Sequence, residues 1–376
     1  MIGAGEVGDR PAPSVTTQGV TPPLEAGPVG IGLIGAGMIG QLAHLANFAG
    51  LPGCRVVALA ELRPQLGRQA ADRFAVPRVY ANHRELLDDA EVDAVVVVTR
   101  RPATGPIVLD ALSADKHVLS EKPMAHSVTQ ATRLVDAAAR RDLRYAVGMM
   151  KRHDAGVAHA KDTLRRLLAR GTLGELRSVR AHCFGGAIGH DADGFLMTDE
   201  VRPDGLELWP EGPDWLPREH WRDYAWFLNV NIHMLNLLRY LFEVEPDVVA
   251  VDFSRPERRN VTLRLDAVPA LFEIAELDSV DWHEGVTVCF EHGHLAIDLP
   301  APLDPRGVAA LTLAEGRYER GLRPPESDLA WSFERQARSF VRDVADRREP
   351  LASGADAVND LILAEEIWRR YLEIAA

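Results

Sequence analysis

Two side chains in this 376-residue sequence have the chemistry and the setting to move a proton on and off an oxygen atom. One is Lys122 in Glu121-Lys122-Pro123; the other is His233 in Asn229-Val230-Asn231-Ile232-His233-Met234-Leu235-Asn236. Taking a hydride from a carbinol carbon requires the hydroxyl proton to leave, and the reverse reaction requires one to arrive. A lysine ammonium beside the oxygen polarises it and stabilises developing alkoxide charge. Lys122 follows the apolar run His117-Val118-Leu119-Ser120 and is held by Pro123. A lysine before proline is often a solvated turn residue; the strand and the acid ahead of this one favour a site. His233 is the candidate acid–base group. Its helix is apolar except for Asn229, His233, Asn236 and Tyr240, spaced four, three and four and so on one face. A lone histidine there would usually be a satisfied core residue, whereas a polar stripe on a buried helix points to a ligand, a water or a polar network.

A glycine-rich turn supplies the cofactor reading. The pattern G-x-G-x-x-G occurs at Gly3, Gly5, Gly8 and again at Gly35, Gly37, Gly40. Only the second copy, Gly35-Ala36-Gly37-Met38-Ile39-Gly40, follows a strand-like run, Val29–Ile34, and opens a helix-forming one, Gln41–Phe48. That order lets bare backbone approach a pyrophosphate while helix N-terminal N–H groups face its charge. A second strand, Arg55–Ala60, ends at Glu61, where an acid about 20 residues past the loop binds a ribose 2′-hydroxyl. This favours NAD over NADP. Arg63 keeps the other choice open, because it could reach a 2′-phosphate; Glu61 could also merely cap a helix.

Length and composition bound the rest. The chain is long for one core and comfortable for two domains, and 47% hydrophobic with 26% charged residues is ordinary for a globular protein. No apolar run is long enough to span a bilayer, and the N-terminus lacks a signal peptide's basic-then-apolar order. Cys54, Cys183 and Cys289 are scattered, which predicts neither a disulfide framework nor a metal site and fits a cytoplasmic protein. A formal charge of −13 argues against nucleic acid as a partner and leaves room for a cationic small molecule.

Positioning these groups requires two modules. Residues 1–28, rich in Gly, Pro, Thr and Ala, are expected to be a disordered tail. Residues 29–150 alternate strands (Val29–Ile34, Arg55–Ala60, Ala94–Thr99, His117–Ser120, Tyr145–Met149) with helices, predicting a doubly wound parallel sheet in an α/β fold. Gly35, Glu61, Thr99 and Glu121 then fall at carboxyl ends of strands, where ligands bind. Residues 151–376 predict a second α/β domain: a helix Ala155–Arg170, a strand Leu176–Phe184, and, after a polar stretch to about Tyr224, an apolar helix to Phe242. Period-two segments follow at Val248–Phe253, Val261–Leu265, Leu271–Leu277, Gly285–Phe290 and His294–Leu299, the pattern of a mostly antiparallel sheet. Helices Asp328–Asp346 and Ala355–Ile374 close the chain.

With these parts in place, the chain resembles the glucose–fructose oxidoreductase and inositol dehydrogenase (Gfo/Idh/MocA) family. The resemblance rests on Gly35–Gly40, Asp93–Thr99, Lys116–Ala125 with its Glu121-Lys122-Pro123, the placement of His233, and Glu349–Gly354 before a final helix, and covers roughly residues 29–374. It implies a Rossmann domain followed by an open-faced sheet domain, a cis Lys122–Pro123 bond, nicotinamide without metal, and hydride transfer on a sugar or polyol hydroxyl. It also implies a homodimer or homotetramer through the second sheet. Departures from the family are specific. Where relatives commonly read Asp-x-Gly-x-His-x-x-Asp, this chain has Asn229, Asn231, His233 and Asn236. Asn229 can bind a hydroxyl but cannot carry charge, so the expectation is that it binds substrate and His233 acts without a carboxylate. After Thr99, Arg100-Arg101 replaces the usual proline-asparagine; these arginines suit a cofactor phosphate or an anionic substrate group, or are solvated. Lys151 and Arg152 lie where relatives contact substrate, and Arg152 is the preferred candidate.

Residues 190–223 are expected to border the pocket. They carry ten acids, Asp191 to Asp223, against Arg202, Arg218 and Arg222, with Trp209, Trp215 and Trp221 interleaved and Tyr224 following. Aromatic faces suit sugar C–H faces and carboxylates suit ammonium groups. The expected substrate is therefore an amino sugar or aminocyclitol glycoside, contacted by Asn229, Arg152, Asn236, Trp221 and Tyr224; an acidic solvated loop is the bland alternative. The leading reading is an NAD-dependent sugar or aminocyclitol dehydrogenase. A redox-assisted glycoside lyase or hydrolase and a catalytically silent sensor of NAD and sugar are the alternatives.

Overall fold

A computed structural model of the chain describes residues 27–185, 194–255, 257–278, 282–325 and 330–375; most of the tail expected at residues 1–28 lies outside them. Among the described residues two sheets are built. The first has strands β1 (Val29–Ile34), β2 (Cys54–Ala60), β3 (Arg78–Tyr80), β4 (Ala94–Val97), β5 (His117–Ser120) and β6 (Tyr145–Val147). All are parallel, in the order β3-β2-β1-β4-β5-β6. β1 and β4 are buried at every position, as continuous apolar runs must be when helices cover both faces. The order reverses between β1 and β4, which opens a crevice at the carboxyl ends of those two strands. Gly35 directly follows β1 and Thr99 lies just past β4, so the glycine turn stands at that crevice.

β3 was not expected. Its three residues are half-buried or exposed and contain no apolar run, so only pairing with β2 makes the segment a strand. The helix after the glycine turn also differs in winding. It is a π-helix over Gly40–Leu45 before an α-turn at Ala46–Phe48. Such bulges often accompany functional sites.

The second sheet holds β7 (Leu176–Gly185), β8 (Asp247–Arg255), β9 (Arg258–Leu265), β10 (Val268–Glu276), β11 (His283–Phe290), β12 (Gly293–Leu299), β13 (Ala310–Glu315) and β14 (Tyr318–Leu322). Their order is β14-β13-β12-β11-β7-β10-β9-β8, antiparallel except for the central β7–β10 pair. Inward residues such as Val179, Ala181, Phe272, Val286 and Ile297 are buried, while Arg180 and Leu271 face out. Helices Ala155–Arg170, Trp221–Phe242 and Gly354–Ala375 pack against this sheet. β13 and β14 were not expected. β13 does alternate, with Leu311 and Leu313 inward, but β14 is exposed along nearly all its length and carries no periodic signal.

The helix ending at Phe242 starts at Trp221, earlier than expected. The helix before the last one runs Ser332–Ala345; its expected start, Asp328, lies outside the described residues. A 3₁₀ turn, Met150–His153, carries the chain from the first sheet to the second. No helix among the described residues is long and apolar enough to cross a membrane.

Candidate active site

The glycine turn has the form a pyrophosphate needs, and each glycine is there for its own reason. Gly35 has φ +101°, and a Cβ on it would lie 2.1 Å from the carbonyl oxygen of Val98. A Cβ on Gly40 would lie 2.3 Å from the Gly35 oxygen, so this glycine lets the helix pack onto the turn. A Cβ on Gly37 would meet nothing within 4 Å among the described residues; it would point into the open cleft. Tight turn, bare approach and close helix packing are the three glycine roles of a dinucleotide site. The cleft, a cavity of about 280 Å³, is lined by Gly35, Gly37, Met38, Ile39, Gly40, Glu61, Arg63, Thr99 and Arg100 among others. The residues present fit a nicotinamide dinucleotide.

Glu61 faces this cleft, but its carboxylate also braces the turn. Oε2 accepts from the Ala36 N–H at 2.8 Å, and Arg63 donates from Nε to Oε1 at 2.8 Å and from Nη2 to Oε2 at 3.2 Å. Arg63, weighed from sequence as a possible phosphate ligand, is thus spent on Glu61.

Beyond Met38, Ile39, Thr99 and Arg100 the cleft continues into a second cavity of about 640 Å³. Here the two candidate proton-movers meet. Lys122, after β5, and His233, on helix Trp221–Phe242, both line it. Lys122 Nζ donates to the main-chain oxygen of Asn229 at 2.6 Å and lies 3.5 Å from Asn229 Oδ1. The Lys122–Pro123 bond is cis. Burial lowers the Lys122 pKa from 10.5 to about 8, with Arg101 and Lys151 pushing the same way and Glu121 opposing. Glu121 is anchored in turn: His44, from the π-helix, sits with Nε2 2.8 Å from its Oε1. Burial alone would raise the Glu121 pKa, but His44 and Lys122 outweigh it and hold the carboxyl below its usual range. His233 is held well below the usual histidine range by burial and by the cations Lys122 and Lys151, so it is neutral at pH 7. Its Nδ1 is buried without a hydrogen-bond partner among the described residues.

Several sequence expectations are corrected at this cavity. The polar stripe splits along the helix: Asn229 and His233 face the cavity, but Asn236 and Tyr240 do not line it. At 1.5 Å per residue, Asn236 lies roughly 10 Å further along the axis than Asn229. There Asn236 Nδ2 donates to Asp360 at 2.7 Å and its Oδ1 accepts from Arg152 Nε at 2.7 Å. Arg152 also reaches the Leu351 carbonyl and pairs with Asp356 at 2.7 Å, so it is a structural tie beneath the last helix. Its neighbour Lys151 is the one that enters the cavity, paired with Glu284 from β11. Trp282 Nε1 donates to the same carboxylate at 2.9 Å. Glu284 left a trace in the sequence: it stands in phase with Val286, Val288 and Phe290 on the inward face of its strand.

Trp221 and Tyr224 likewise sit away from the cavity. Trp221 Nε1 donates to the Leu216 carbonyl, and its ring covers Gly212. Tyr224 is fully buried edge-on against Trp368, in a cluster with Phe227 and Phe253. Helix Trp221–Phe242 starts a turn earlier than expected and turns these rings inward.

The acidic segment does cross the crevice, but its acids do not make an acidic pocket. Asp191 and Asp193 lie outside the described residues. Of the remaining expected acids only Glu211 lines the cavity; the charged side chains around it are Arg100, Arg101, Lys122, Lys151, Glu121, Glu211 and Glu284, four cations against three anions. Glu121 and Glu284 are already paired, so the cavity offers little to an ammonium group. Trp282, Glu284 and Phe333 are lining residues that the sequence reading did not select.

Comparison with known proteins identifies the family and the fold. Residues 29–149 match the family model GFO_IDH_MocA, described as an oxidoreductase family with an NAD-binding Rossmann fold. An inositol 2-dehydrogenase/D-chiro-inositol 3-dehydrogenase of Shouchella clausii is 38% identical over 155 residues, 40% of this chain and 43% of that protein, so that match spans less than half of the relative's length. An inositol 2-dehydrogenase of Acidothermus cellulolyticus is 32% identical over 334 residues, covering 85% of this chain and 86% of the relative. The aldose-aldose oxidoreductase of Caulobacter crescentus shares the fold with a TM-score of 0.72 at 24% identity, over 92% of this chain and 98% of that one. A 3-ketoreductase from Actinomadura kijaniata, solved with NADP and TDP-benzene, does so with a TM-score of 0.71 at 19% identity, over 91% and 97%. The chain belongs to the Gfo/Idh/MocA family of oxidoreductases with an NAD-binding Rossmann fold.

Proposed function

We propose that this protein oxidises a secondary hydroxyl, or reduces the corresponding ketone, of a sugar-like or polyol substrate with NAD. The carrying observation is that Lys122, from the loop after β5, and His233, from helix Trp221–Phe242, face one cavity continuous with the glycine-turn cleft. Bound nicotinamide supplies the hydride acceptor in one direction and the donor in the other. Lys122 Nζ holds the substrate oxygen and stabilises its negative charge. A pKa of about 8 leaves the amine close to balance between donor and acceptor near neutral pH. His233, neutral at pH 7, accepts or returns a proton at the ring nitrogen facing the cavity. Asn229 offers a side-chain amide to a neighbouring hydroxyl. Phe333, Leu303 and Trp282 supply apolar walls that limit water around the reacting oxygen.

Glu61 at the end of β2 supports NAD over NADP, and the polyol names of the relatives support an uncharged polyol or sugar. The outward face of the second sheet, with Val249 and Leu271 exposed, is the surface a second copy of the chain would cover. The test is turnover followed at the NADH absorbance band with a panel of inositols, aldoses and keto sugars, for the wild type and Lys122→Ala. Dinucleotide-dependent turnover that disappears in the variant supports the reading; equal rates in both would overturn it.

A further inference from the structure

The segment between β7 and helix Trp221–Phe242 is laced to the first sheet's domain at four points. The Gln41 side chain donates to the Leu196 carbonyl at 3.0 Å and accepts from its N–H at 2.8 Å. Trp209 N–H donates to the Pro102 carbonyl at 2.8 Å, and Gln130 Nε2 donates to the Pro210 carbonyl at 3.0 Å. The fourth point is Glu200. Its carboxylate accepts from the N–H groups of Gln65 at 2.8 Å and Leu66 at 2.9 Å, with the Thr198 hydroxyl 3.0 Å from Oε2. Gln65 and Leu66 open helix Pro64–Phe74, directly after Glu61, Leu62 and Arg63 on the cleft wall.

That position matters for cofactor choice. The adenosine ribose of a dinucleotide lies at the end of β2, and a 2′-phosphate there needs cations or free N–H donors. Arg100 and Arg202 also line the cleft, and two such sets directly follow β2 in the chain. The Arg63 guanidinium is one, and both of its bonding nitrogens are on Glu61. The first N–H groups of helix Pro64–Phe74 are the other, an anion-binding arrangement by nature, and the Glu200 carboxylate is seated on them. A phosphate arriving at the end of β2 would find both of these donor sets taken and two carboxylates close by, whereas a 2′-hydroxyl needs neither set. We propose that Glu200, reaching over from the second sheet's side, excludes a 2′-phosphate by occupying the start of helix Pro64–Phe74, and with Glu61 selects NAD against NADP. This rests on the dinucleotide reading above and extends it to a residue far from the Rossmann sequence.

The experiment measures dissociation constants for NAD⁺ and NADP⁺ by calorimetry for the wild type, Glu200→Gln and Glu200→Ala, with melting temperatures alongside. The expected result is a rise of at least tenfold in the NADP⁺-to-NAD⁺ affinity ratio for Glu200→Ala, with Glu200→Gln intermediate because its amide oxygen can still cap the helix. If Glu200 only fastens the segment, both affinities fall together and the ratio stays constant, which overturns the inference. In the wild type, 2′,5′-ADP should bind at least tenfold more weakly than 5′-AMP, and equal binding would also overturn it. Failure of the wild type to bind either dinucleotide would instead remove the underlying cofactor reading, and the inference with it.

Discussion

Lys122 Nζ donates to the main-chain oxygen of Asn229 across 2.6 Å, although the two residues stand 107 positions apart and belong to different sheets' domains. The contact joins the loop after β5 to the helix that carries His233 one turn on, at i and i+4. It fixes the ammonium on the wall of the second cavity. The lowered pKa has a different cause: burial of the amine, which the neighbouring Glu121 carboxylate only partly offsets.

Replacing Lys122 by Met should remove transition-state stabilisation without removing the cofactor site. Turnover is expected to fall by about 10² to 10⁴-fold. Dinucleotide affinity, measured by fluorescence titration, should stay within about threefold, since the glycine turn supplies that binding.

The pH profile follows from Lys122. In the reducing direction the amine must be protonated to support the ketone oxygen, so kcat/KM should fall as pH rises through about 8. In the oxidising direction the free amine favours proton removal, and kcat/KM should rise over the same window. His233 titrates well below 6.5 and so adds no step there. Lys122→Arg, whose guanidinium does not titrate in this range, should flatten the step; an unchanged step would assign it to another group.

The glycines separate folding from binding. A Cβ on Gly37 meets nothing within 4 Å among the described residues, so Gly37→Ala should keep its melting temperature and lose at least about tenfold in dinucleotide affinity. A Cβ on Gly40 would lie 2.3 Å from the Gly35 oxygen. Gly40→Ala should therefore be destabilised by about 1–3 kcal/mol, read from denaturant unfolding.

Arg152 and Asp360 should matter for stability and leave substrate recognition alone. Asp360 is fully buried, accepting from Asn236 and paired with Arg239 at 2.6 Å, while Asn236 also binds Arg152. Asp360→Ala leaves Arg239 with Glu245 and Asp356 but removes its fully buried partner and strands the Asn236 amide, and should cost about 1–3 kcal/mol. Folded Arg152→Met, assayed at low temperature, should show the wild-type KM; a tenfold rise would return Arg152 to the substrate site.

Much of the architecture was legible because burial on both faces forces continuous apolar strands in the first sheet and one-sided burial forces alternation in the second. β3 and β14 escaped for the same reason: their residues are largely exposed, so pairing alone makes them strands. The cofactor cleft was readable because its three glycines act through backbone conformation and lie within six consecutive residues. The substrate side was less so. Arg152 and Lys151 are adjacent and both cationic, and nothing local says which one meets Asn236 and which meets Glu284. The acids from Asp199 to Asp223 read as a charged pocket rim, yet Glu200 caps a helix across the crevice and only Glu211 reaches the cavity.

By itself the sequence determined the dinucleotide turn, the paired sheets and the two candidate proton-moving groups, because each depends on residue type and short-range spacing. Tertiary structure decided which polar residues those groups meet. Side chains such as Arg152, Asn236, Trp221 and Tyr224 are placed by long-range packing: a helix that passes beneath a cavity offers it one or two turns and buries the rest against whatever lies below. The cavity's net positive lining, and the carboxylate of Glu200 on a helix of the other sheet, exist only once separate segments are brought together.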